Sequence, residues 1–284
     1  MARTEEHQHS IKVEEGWPVI QEGVDKLIKG IEGDNSQSFS SEDYMRYYTT
    51  VYNMCHPNPA GANCQVLYEK YKNIFEEYIT SKVMPSLQGK EGEALLQELE
   101  KRWSNHKMMT RWLSRFFHYI DRYFVAVKKV PSVQEVALSS FYNLIFGEMN
   151  NQVRDAVLSM IDREREGEDI DQALVKNVLA VYVDVGQGSL KYYEKDFEEA
   201  MFEDTAAFYS TKASKWIKNE SYKNYMLKVA SCLKHERETI SCYLQDRSQR
   251  KLLEIVEHEL LSVHATELQE KEQLDASPLT ETSR

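Results

Sequence analysis

Two histidine–glutamate pairs are the residues of this sequence that come closest to a catalytic metal site. His235-Glu236 and His258-Glu259 each begin like the helical zinc-binding motif of metalloproteases. That motif needs a second histidine four residues after the first, so that both imidazoles lie on one helix face. Thr239 and Ser262 occupy those positions, and His264 follows only two residues later, on another side of the helix. The spacing therefore predicts structural or solvated histidines rather than a zinc site.

Three other patterns also fall short of known chemistry. Cys55, His56 and Cys64 flank a proline-containing loop, but their spacing matches no zinc finger, and we interpret them as buried or incidental thiols. Gly186-Gln187-Gly188 lacks the third glycine and the preceding strand of a dinucleotide-binding loop. Residues 162–166 alternate in charge, which is typical of a solvated helix end. We therefore expect no cofactor, no metal and no catalysis. The alternative, a cryptic enzyme, would require a cleft lined by polar groups with shifted pKa values.

Charge and composition restrict the partners and the compartment. The 284 residues include 35 Lys and Arg against 46 Asp and Glu, which gives a net charge of −11. This balance argues against a nucleic-acid binder and against an anionic membrane surface as the main partner. The N-terminus has no signal-peptide core, no apolar stretch approaches the roughly 20 residues of a membrane span, and four cysteines are too few for a disulfide framework. We expect a soluble protein in a reducing, intracellular setting.

The scarcity of chain-breaking residues indicates an all-α fold. The chain has 11 Gly and 6 Pro, and no proline lies between Pro131 and Pro278. Sheet proteins need frequent turn residues, which are missing here. Periodicity predicts about ten helices, with Ser41 as the N-cap of the first clear one. We place them at residues 44–55, 66–83, from 93 onward, 107–127, 133–149, 150–166, 170–185, 190–218, 221–246 and 248–272.

Two of these helices carry more aromatic surface than one core needs. In the helix 107–127, one apolar stripe suffices for a core: Met109, Leu113, Phe116, Ile120 and Phe124, with Tyr123 beside it. Another side carries Met108, Trp112 and Tyr119, mixed with Arg115, His118 and Arg122. The helix 44–55 has four tyrosines within nine residues. Either both helices are core on two sides, or a partner covers the second face; the pattern alone leaves both interpretations open.

Long segments resemble the cullin family. Residues 43–55 (DYMRYYTTVYNMC) resemble the second helix of the first cullin repeat. Residues 102–107 (RWSNHK), followed by 112–117 (WLSRFF) and 121–124 (DRYF), resemble the fifth helix in its plant form. The segment 162–168, with Tyr193, residues 196–198, Thr205, Tyr209 and Ala213, resembles the second repeat. The resemblance extends from about Glu15 to Gln273 and is greatest to plant cullins that carry a Skp adaptor and F-box proteins.

The resemblance implies an architecture. It predicts an elongated stack of about two five-helix cullin repeats, the first at residues 15–150 and the second at 151–273. Residues 1–14 and 274–284 are predicted to be disordered, because the tail is polar and carries Pro278.

The resemblance also implies a non-catalytic scaffold of an SCF-type cullin–RING ubiquitin ligase. In the family, helices two and five of the first repeat bind the adaptor. Carried over here, the adaptor-binding residues are Tyr44, Tyr47, Tyr48, Val51, Tyr52, Trp112, Arg115, Phe116 and Tyr119.

Two alternatives to that role stay open. The 284 residues end without the third repeat and the RING-binding domain of the family, so we expect no RING subunit as a partner. A chain of that kind is predicted to compete with full-length cullin for the adaptor. The second alternative is a helical-repeat module for another adaptor, such as the BTB type.

Overall fold

The structure, a computed structural model, describes residues 10–33 and 39–276. Every regular element in those two ranges is helical, which confirms the all-α prediction. Within the same residues, no helix combines the length and the apolar character needed to cross a bilayer.

We number the helices α1 to α11 and join segments that run on through a π-helical turn. The first six are α1 (Val13–Glu32), α2 (Ser41–Cys55), α3 (Ala62–Tyr78, then Ile79–Val83 and Met84–Leu87), α4 (Gly92–Phe116), α5 (π-helical Ile120–Val125, then Ala126–Lys128) and α6 (Val133–Phe141, then Tyr142–Phe146 and Gly147–Arg165). The others are α7 (Gln172–Val185), α8 (Lys191–Tyr193, then Glu194–Glu198 and Glu199–Asn219), α9 (Tyr222–Ile240), α10 (Asp246–Glu257, then His258–Ser262) and α11 (Ala265–Ala276).

The chain divides into two compact units. The first consists of the described residues up to Lys90 together with Glu98–Asn150, and the second of Glu91–Gln97 together with those from Asn151 onward. Asn150 and Asn151 are consecutive residues of α6.

Side-chain caps explain where several helices begin. Ser40 caps α2: its hydroxyl accepts a hydrogen bond from the Asp43 N–H at 3.0 Å, and the Asp43 carboxylate accepts one from the Ser40 N–H at 3.2 Å. The predicted cap, Ser41, is instead the first helical residue, because only Ser40 has a side chain placed to meet that N–H. Ser132 and Glu135 form the same reciprocal cap at the start of α6.

Several predicted helix boundaries are wrong, two of them inside the first unit or at its edge. The predicted break between residues 149 and 150 lies inside α6, where neither a proline nor a left-handed residue interrupts the helix. Conversely, the single helix predicted at 107–127 is interrupted after Phe116, and a π-helical segment follows from Ile120. Periodicity predicts which residues share a helix face. It does not predict where a turn contains one extra residue, as a π-helical turn does.

The described ends of the chain are more ordered than predicted. Val13 and Glu14 already belong to α1, and α11 includes residues 274–276. The Asp275 carboxylate accepts a hydrogen bond from the Tyr222 N–H at 3.1 Å, which ties α11 to the start of α9. Residues 1–9 and 277–284 of the two predicted disordered segments lie outside the described residues.

The charged segment 162–166 is not a solvated helix end throughout. Glu164 and Arg165 are buried, whereas Arg163 and Glu166 lie at the surface or near it. His235 is structural as predicted, because its Nε2 lies 3.1 Å from the Glu164 carbonyl oxygen.

Candidate functional site

A continuous aromatic surface lies on the first unit, where α2 runs beside the end of α4 and the start of α5. We call it the tyrosine surface; it consists of Tyr44, Tyr48, Tyr52, Tyr119 and Tyr123. The Tyr44 and Tyr48 rings stack with centroids 6.1 Å apart. The Tyr119 ring meets Tyr52 at 5.0 Å and Tyr123 at 4.6 Å. Tyr123 is 39% exposed, and Tyr119 is nearly buried beneath its neighbours.

A buried layer supports this surface from within the same unit. Tyr47, Val51 and Phe116 have at most 1% of their surface exposed. The Phe116 ring packs 4.8 Å from Tyr47, and Phe39 packs edge-on against both rings. These three predicted contact residues belong to the core of the unit, and their direct contact with a partner stays an untested prediction. They hold the tyrosines in place.

A cavity of about 390 Å³ opens at one end of the tyrosine surface. It is lined by Phe39, Ser40, Ser41, Tyr44, Trp112 and Arg115. The Phe39 and Trp112 rings lie 4.9 Å apart, and the Arg115 guanidinium lies 5.4 Å from the Trp112 ring centroid. The cavity therefore combines three aromatic rings and two serines with one exposed positive charge at its edge.

Charged pairs border α2 where it packs against α1. Arg46 donates to both carboxylate oxygens of Glu22 at 3.1 and 2.8 Å, and Lys26 donates to Asp43 at 2.9 Å. Both pairs join α2 to α1. They are largely exposed, so solvent screens them and each adds little to the stability of the fold. Together they give the aromatic surface a polar border.

Two phenols of this surface, Tyr48 and Tyr119, stay neutral at physiological pH. Burial raises the pKa of Tyr48, and the neighbouring Tyr44 and Tyr123 raise it further. Burial likewise raises the pKa of Tyr119. A neutral phenol donates and accepts a hydrogen bond at its hydroxyl and presents an apolar ring. Such a surface suits a protein partner, and it contains no pair of groups arranged for proton transfer among the residues just described.

The sequence matches the family described as "Cullin alpha solenoid domain" over residues 17–282. The chain belongs to the cullin family. It is 53% identical over 263 residues to Cullin-1 of Oryza sativa subsp. japonica, covering 93% of this chain and 35% of that protein. The chain thus spans about a third of the length of this curated relative.

Two relatives from Arabidopsis thaliana are closer to this cullin chain in length. Putative cullin-like protein 2 is 47% identical over 253 residues, which cover 88% of this chain and 67% of that protein. Cullin-like protein 3 is 44% identical over 245 residues, which cover 86% of this chain and 94% of that protein. These matches confirm the resemblance to plant cullins.

The structure brings all nine predicted residues of this cullin into one region of the first unit, but at different depths. Tyr44, Tyr48, Tyr52 and Trp112 are half-buried and Arg115 is exposed, so these five are available to a partner. Tyr119 is only 8% exposed, and Tyr47, Val51 and Phe116 lie in the layer below.

Sequence reasoning missed two members of the site. Phe39 precedes the N-cap Ser40 and lines the cavity with Tyr44, four residues into the helix, which is the spacing of a hydrophobic staple. This spacing between Phe39 and Tyr44 could have identified Phe39 from the sequence. Tyr123 was assigned to the core stripe, although it follows Tyr119 by one helical turn and shares its surface.

Proposed function

We propose that this cullin is a non-catalytic scaffold of an SCF-type cullin–RING ubiquitin ligase, and that the tyrosine surface and its cavity bind a Skp adaptor carrying an F-box protein. The observation that carries the proposal is the tyrosine surface itself. It presents aromatic rings from two helices, and the layer beneath it is already filled by side chains of the same unit. The similarity to a Cullin-1 supports the assignment to this class.

The energetics of the surface favour protein recognition. Tyrosine and tryptophan rings bring large contact areas with few rotatable bonds, so they lose little entropy on binding. The packed layer of Tyr47, Val51 and Phe116 fixes the helix that presents them. Arg115 at the cavity edge favours a partner that places a carboxylate beside an apolar side chain. The charged border supplies the polar, solvent-accessible rim that is typical of such interfaces.

The direct test is a titration of the purified chain with a purified Skp–F-box pair by calorimetry. We expect a stable one-to-one complex. A second titration with a BTB-type adaptor measures specificity. Absence of binding to the Skp–F-box pair by a folded chain would contradict the proposal.

A second adaptor class remains a candidate because the chain is also 30% identical over 242 residues to Cullin-3 of Dictyostelium discoideum. Half-buried tyrosines accommodate more than one apolar partner, so the surface alone does not select the class. Tighter binding of the BTB-type adaptor in the paired titration would favour this alternative.

Competition is a further part of the proposal. One adaptor surface holds one cullin at a time, so an excess of this chain should slow ubiquitination by a complete Skp–cullin–RING ligase when the adaptor is limiting. Unchanged turnover at a large excess would show that the chain does not capture the adaptor. We also propose a location in the cytoplasm and nucleus, which microscopy of the tagged chain tests.

A further inference from the structure

A row of exposed basic residues runs beside the tyrosine surface, along the end of α4 and the start of α5. We call it the basic stripe; it consists of Arg111, Arg115, His118 and Arg122. Their spacing of four, three and four residues places them on one helix face, and all four are exposed. At about 1.5 Å of rise per residue, the stripe is roughly 16 Å long.

The stripe is basic although the chain as a whole is acidic. Residues 101–120 contain five of the 35 Lys and Arg and none of the 46 Asp and Glu. Asp121 comes next, but its carboxylate accepts a hydrogen bond from the Val133 N–H at 3.0 Å. This carboxylate is therefore engaged at the start of α6, and the stripe keeps its positive charge.

The arginines of the stripe lack the carboxylate partners that other accessible arginines have. Four arginines elsewhere pair with carboxylates at 2.7 to 3.0 Å: Arg46, Arg154, Arg163 and Arg247. Within residues 10–33 and 39–276, the three arginines of the stripe pair with no carboxylate. Two of them contact rings instead: the Arg115 guanidinium lies 5.4 Å from the Trp112 ring centroid, and that of Arg122 lies 5.4 Å from the Tyr123 ring centroid.

A partner that covers the tyrosine surface also covers part of the stripe. Tyr123 belongs to the surface and carries Arg122 against its ring, and Arg115 lines the cavity with Trp112. A guanidinium that is withdrawn from water loses its hydration, and an unpaired buried charge is strongly unfavourable. Carboxylates compensate a guanidinium best, because the two groups form short charge-assisted hydrogen bonds. The partner must therefore bring carboxylates to these positions.

We propose that the basic stripe docks a short acidic segment of the protein that binds the tyrosine surface. Carboxylates of this segment pair with Arg111, Arg115 and Arg122, and one apolar side chain of the segment enters the cavity. The identity of the partner rests on the proposed function; the acidic chemistry of the segment does not.

The dimensions of the stripe favour a short protein segment over a long polyanion. An extended segment of about five residues spans roughly 16 Å, which is the length of the stripe. Salt at about 0.1 M screens charges that lie more than roughly 10 Å away, so such a segment interacts mainly with the stripe. A nucleic acid continues past both ends and meets a chain whose net charge is −11.

The first experiment measures the acidic chemistry without the proposed partner. The probe is a fluorescein-labelled peptide in which three glutamates flank each side of one leucine, titrated with the whole chain and followed by anisotropy. The control peptide carries glutamine in place of every glutamate. We expect the glutamate peptide to bind at least about tenfold more tightly at low salt, and its advantage to shrink as salt screens the arginine–carboxylate pairs.

Charge reversal locates the binding of this probe. Arg111→Glu, Arg122→Glu, a double variant at exposed positions outside the cavity, should remove the advantage of the glutamate peptide. The matched control is Arg237→Glu, Arg250→Glu, which reverses two exposed arginines of the second unit and changes the net charge equally. Equal binding of the two peptides by wild type, or equal losses in the two double variants, would overturn the proposal. Tighter binding of a single-stranded oligothymidylate than of the glutamate peptide would also overturn it, in favour of a nucleic acid.

Melting temperatures show whether these variants fold, and exposed substitutions of this kind should leave them unchanged. If Arg111→Glu, Arg122→Glu does not fold, Arg111→Gln, Arg122→Gln removes the same two charges without reversing them. This second variant should lower the advantage of the glutamate peptide by at least about threefold, because two of three arginine–carboxylate pairs are lost. An undiminished advantage would overturn the proposal.

The second experiment follows the association of the Skp–F-box pair with the same variants by stopped flow. At about 50 mM salt, we expect Arg111→Glu, Arg122→Glu to lower the association rate constant about tenfold, because charges at the rim of an interface steer the encounter. The deficit should disappear near 1 M salt, where the Debye length is about 3 Å. Rate constants equal to those of Arg237→Glu, Arg250→Glu would overturn the role of the stripe in binding. Absence of binding by wild type would contradict the proposed function and leave the peptide result standing.

Discussion

The centre of the first unit holds one neutral histidine among aromatic rings, whereas the centre of the second unit holds a buried ion pair. His106 is fully buried and lies about 5 Å from the rings of Phe75 and Phe141. Its Nε2 lies 2.9 Å from the Ala137 carbonyl oxygen, and its Nδ1 has no hydrogen-bond partner in the described part of the chain. The imidazole is therefore neutral, with the proton on Nε2.

In the second unit, the Arg165 and Glu236 side chains are 3% and 1% exposed and form an ion pair at 2.8 Å. Arg165 also donates to the Thr205 hydroxyl at 2.7 Å, and the Tyr209 hydroxyl donates to Glu236 at 2.6 Å. These contacts join α6, α8 and α9. Arg165 also pairs with Asp162 at 3.0 Å and Asp204 at 3.4 Å. The Glu236 charge, by contrast, is compensated by Arg165 in a site shielded from water.

The difference teaches that two all-α units of similar size depend on different interactions. Apolar packing dominates the centre of the first unit, and the histidine at that centre must stay uncharged. A charge network orients three helices in the second unit, and that network is sensitive to the loss of any member. Mutation and pH should therefore separate the two units.

The largest expected effect is the loss of Arg165. Arg165→Met leaves Glu236 buried without its counter-charge, so we expect a loss of about 3–5 kcal/mol in the free energy of unfolding. Urea unfolding followed by circular dichroism measures it. The matched control is Arg247→Met, since Arg247 pairs with Glu194 at 3.0 Å on the exposed face. That pair should contribute at most about 1 kcal/mol. Equal losses of unfolding free energy in the two variants would show that the buried pair stabilises the fold no more than the exposed pair does.

Acid should destabilise the first unit through His106. Burial lowers the pKa of His106 to about 4, below its usual 6.5. The unfolded state therefore binds a proton that the folded state rejects, and stability falls as the pH drops from about 6.5 to 4. At about 1.4 kcal/mol per pKa unit, the loss reaches roughly 3 kcal/mol. His106→Gln should remove this pH dependence; a parallel decline in the variant would assign it to other groups.

Binding variants test whether the aromatic character of the first unit extends to its function. Tyr48→Ala and Trp112→Ala should each weaken adaptor binding by about 2 kcal/mol or more, roughly thirtyfold. Arg115→Glu should act as strongly if the partner presents an acidic group there. Leu227→Ala, at a residue 62% exposed on the second unit, is the control and should leave affinity unchanged.

Melting temperatures of the same variants separate contact from folding. If Tyr48 and Trp112 serve mainly the chain's own core, affinity will fall only with stability. Unchanged affinity in a folded Tyr48→Ala, Trp112→Ala double variant would rule out this surface as the adaptor site.

Sequence reasoning recovered the features that depend on local pattern. Few glycines and prolines predicted helices, and the spacing of Met109 and Leu113 identified a stripe that is indeed buried. Sequence reasoning did not predict how deeply each side chain is buried, because periodicity defines a helix face and not the element that covers that face. The charge pattern therefore placed Arg165 in solvent, and the carry-over from the family made Tyr47 and Phe116 contact residues, although each is buried by residues distant in sequence.

The smallest expected effect is a response of the second unit to acid in the opposite direction. Burial raises the pKa of Asp204 to about 6, and the nearby Asp162 carboxylate raises it further, while Arg165 lowers it. The folded state then binds a proton more readily than the unfolded state, whose aspartate titrates near 3.9. Stability from this group rises as the pH falls from about 6 toward 4, opposite to the His106 response. Because Asp204 is only half-buried, solvent screening keeps the gain small.

Asp204→Asn tests this response, because the amide carries no charge at any pH in that range. The variant should melt at a higher temperature than wild type, and the difference should be larger at pH 7, where the wild-type carboxylate is charged, than at pH 5. The control is the same substitution in an Asp162→Asn background, where the repulsion between the two carboxylates is already absent and the difference at pH 7 should shrink. If Asp204→Asn raised the melting temperature more at pH 5 than at pH 7, folding would not disfavour the charged form of Asp204.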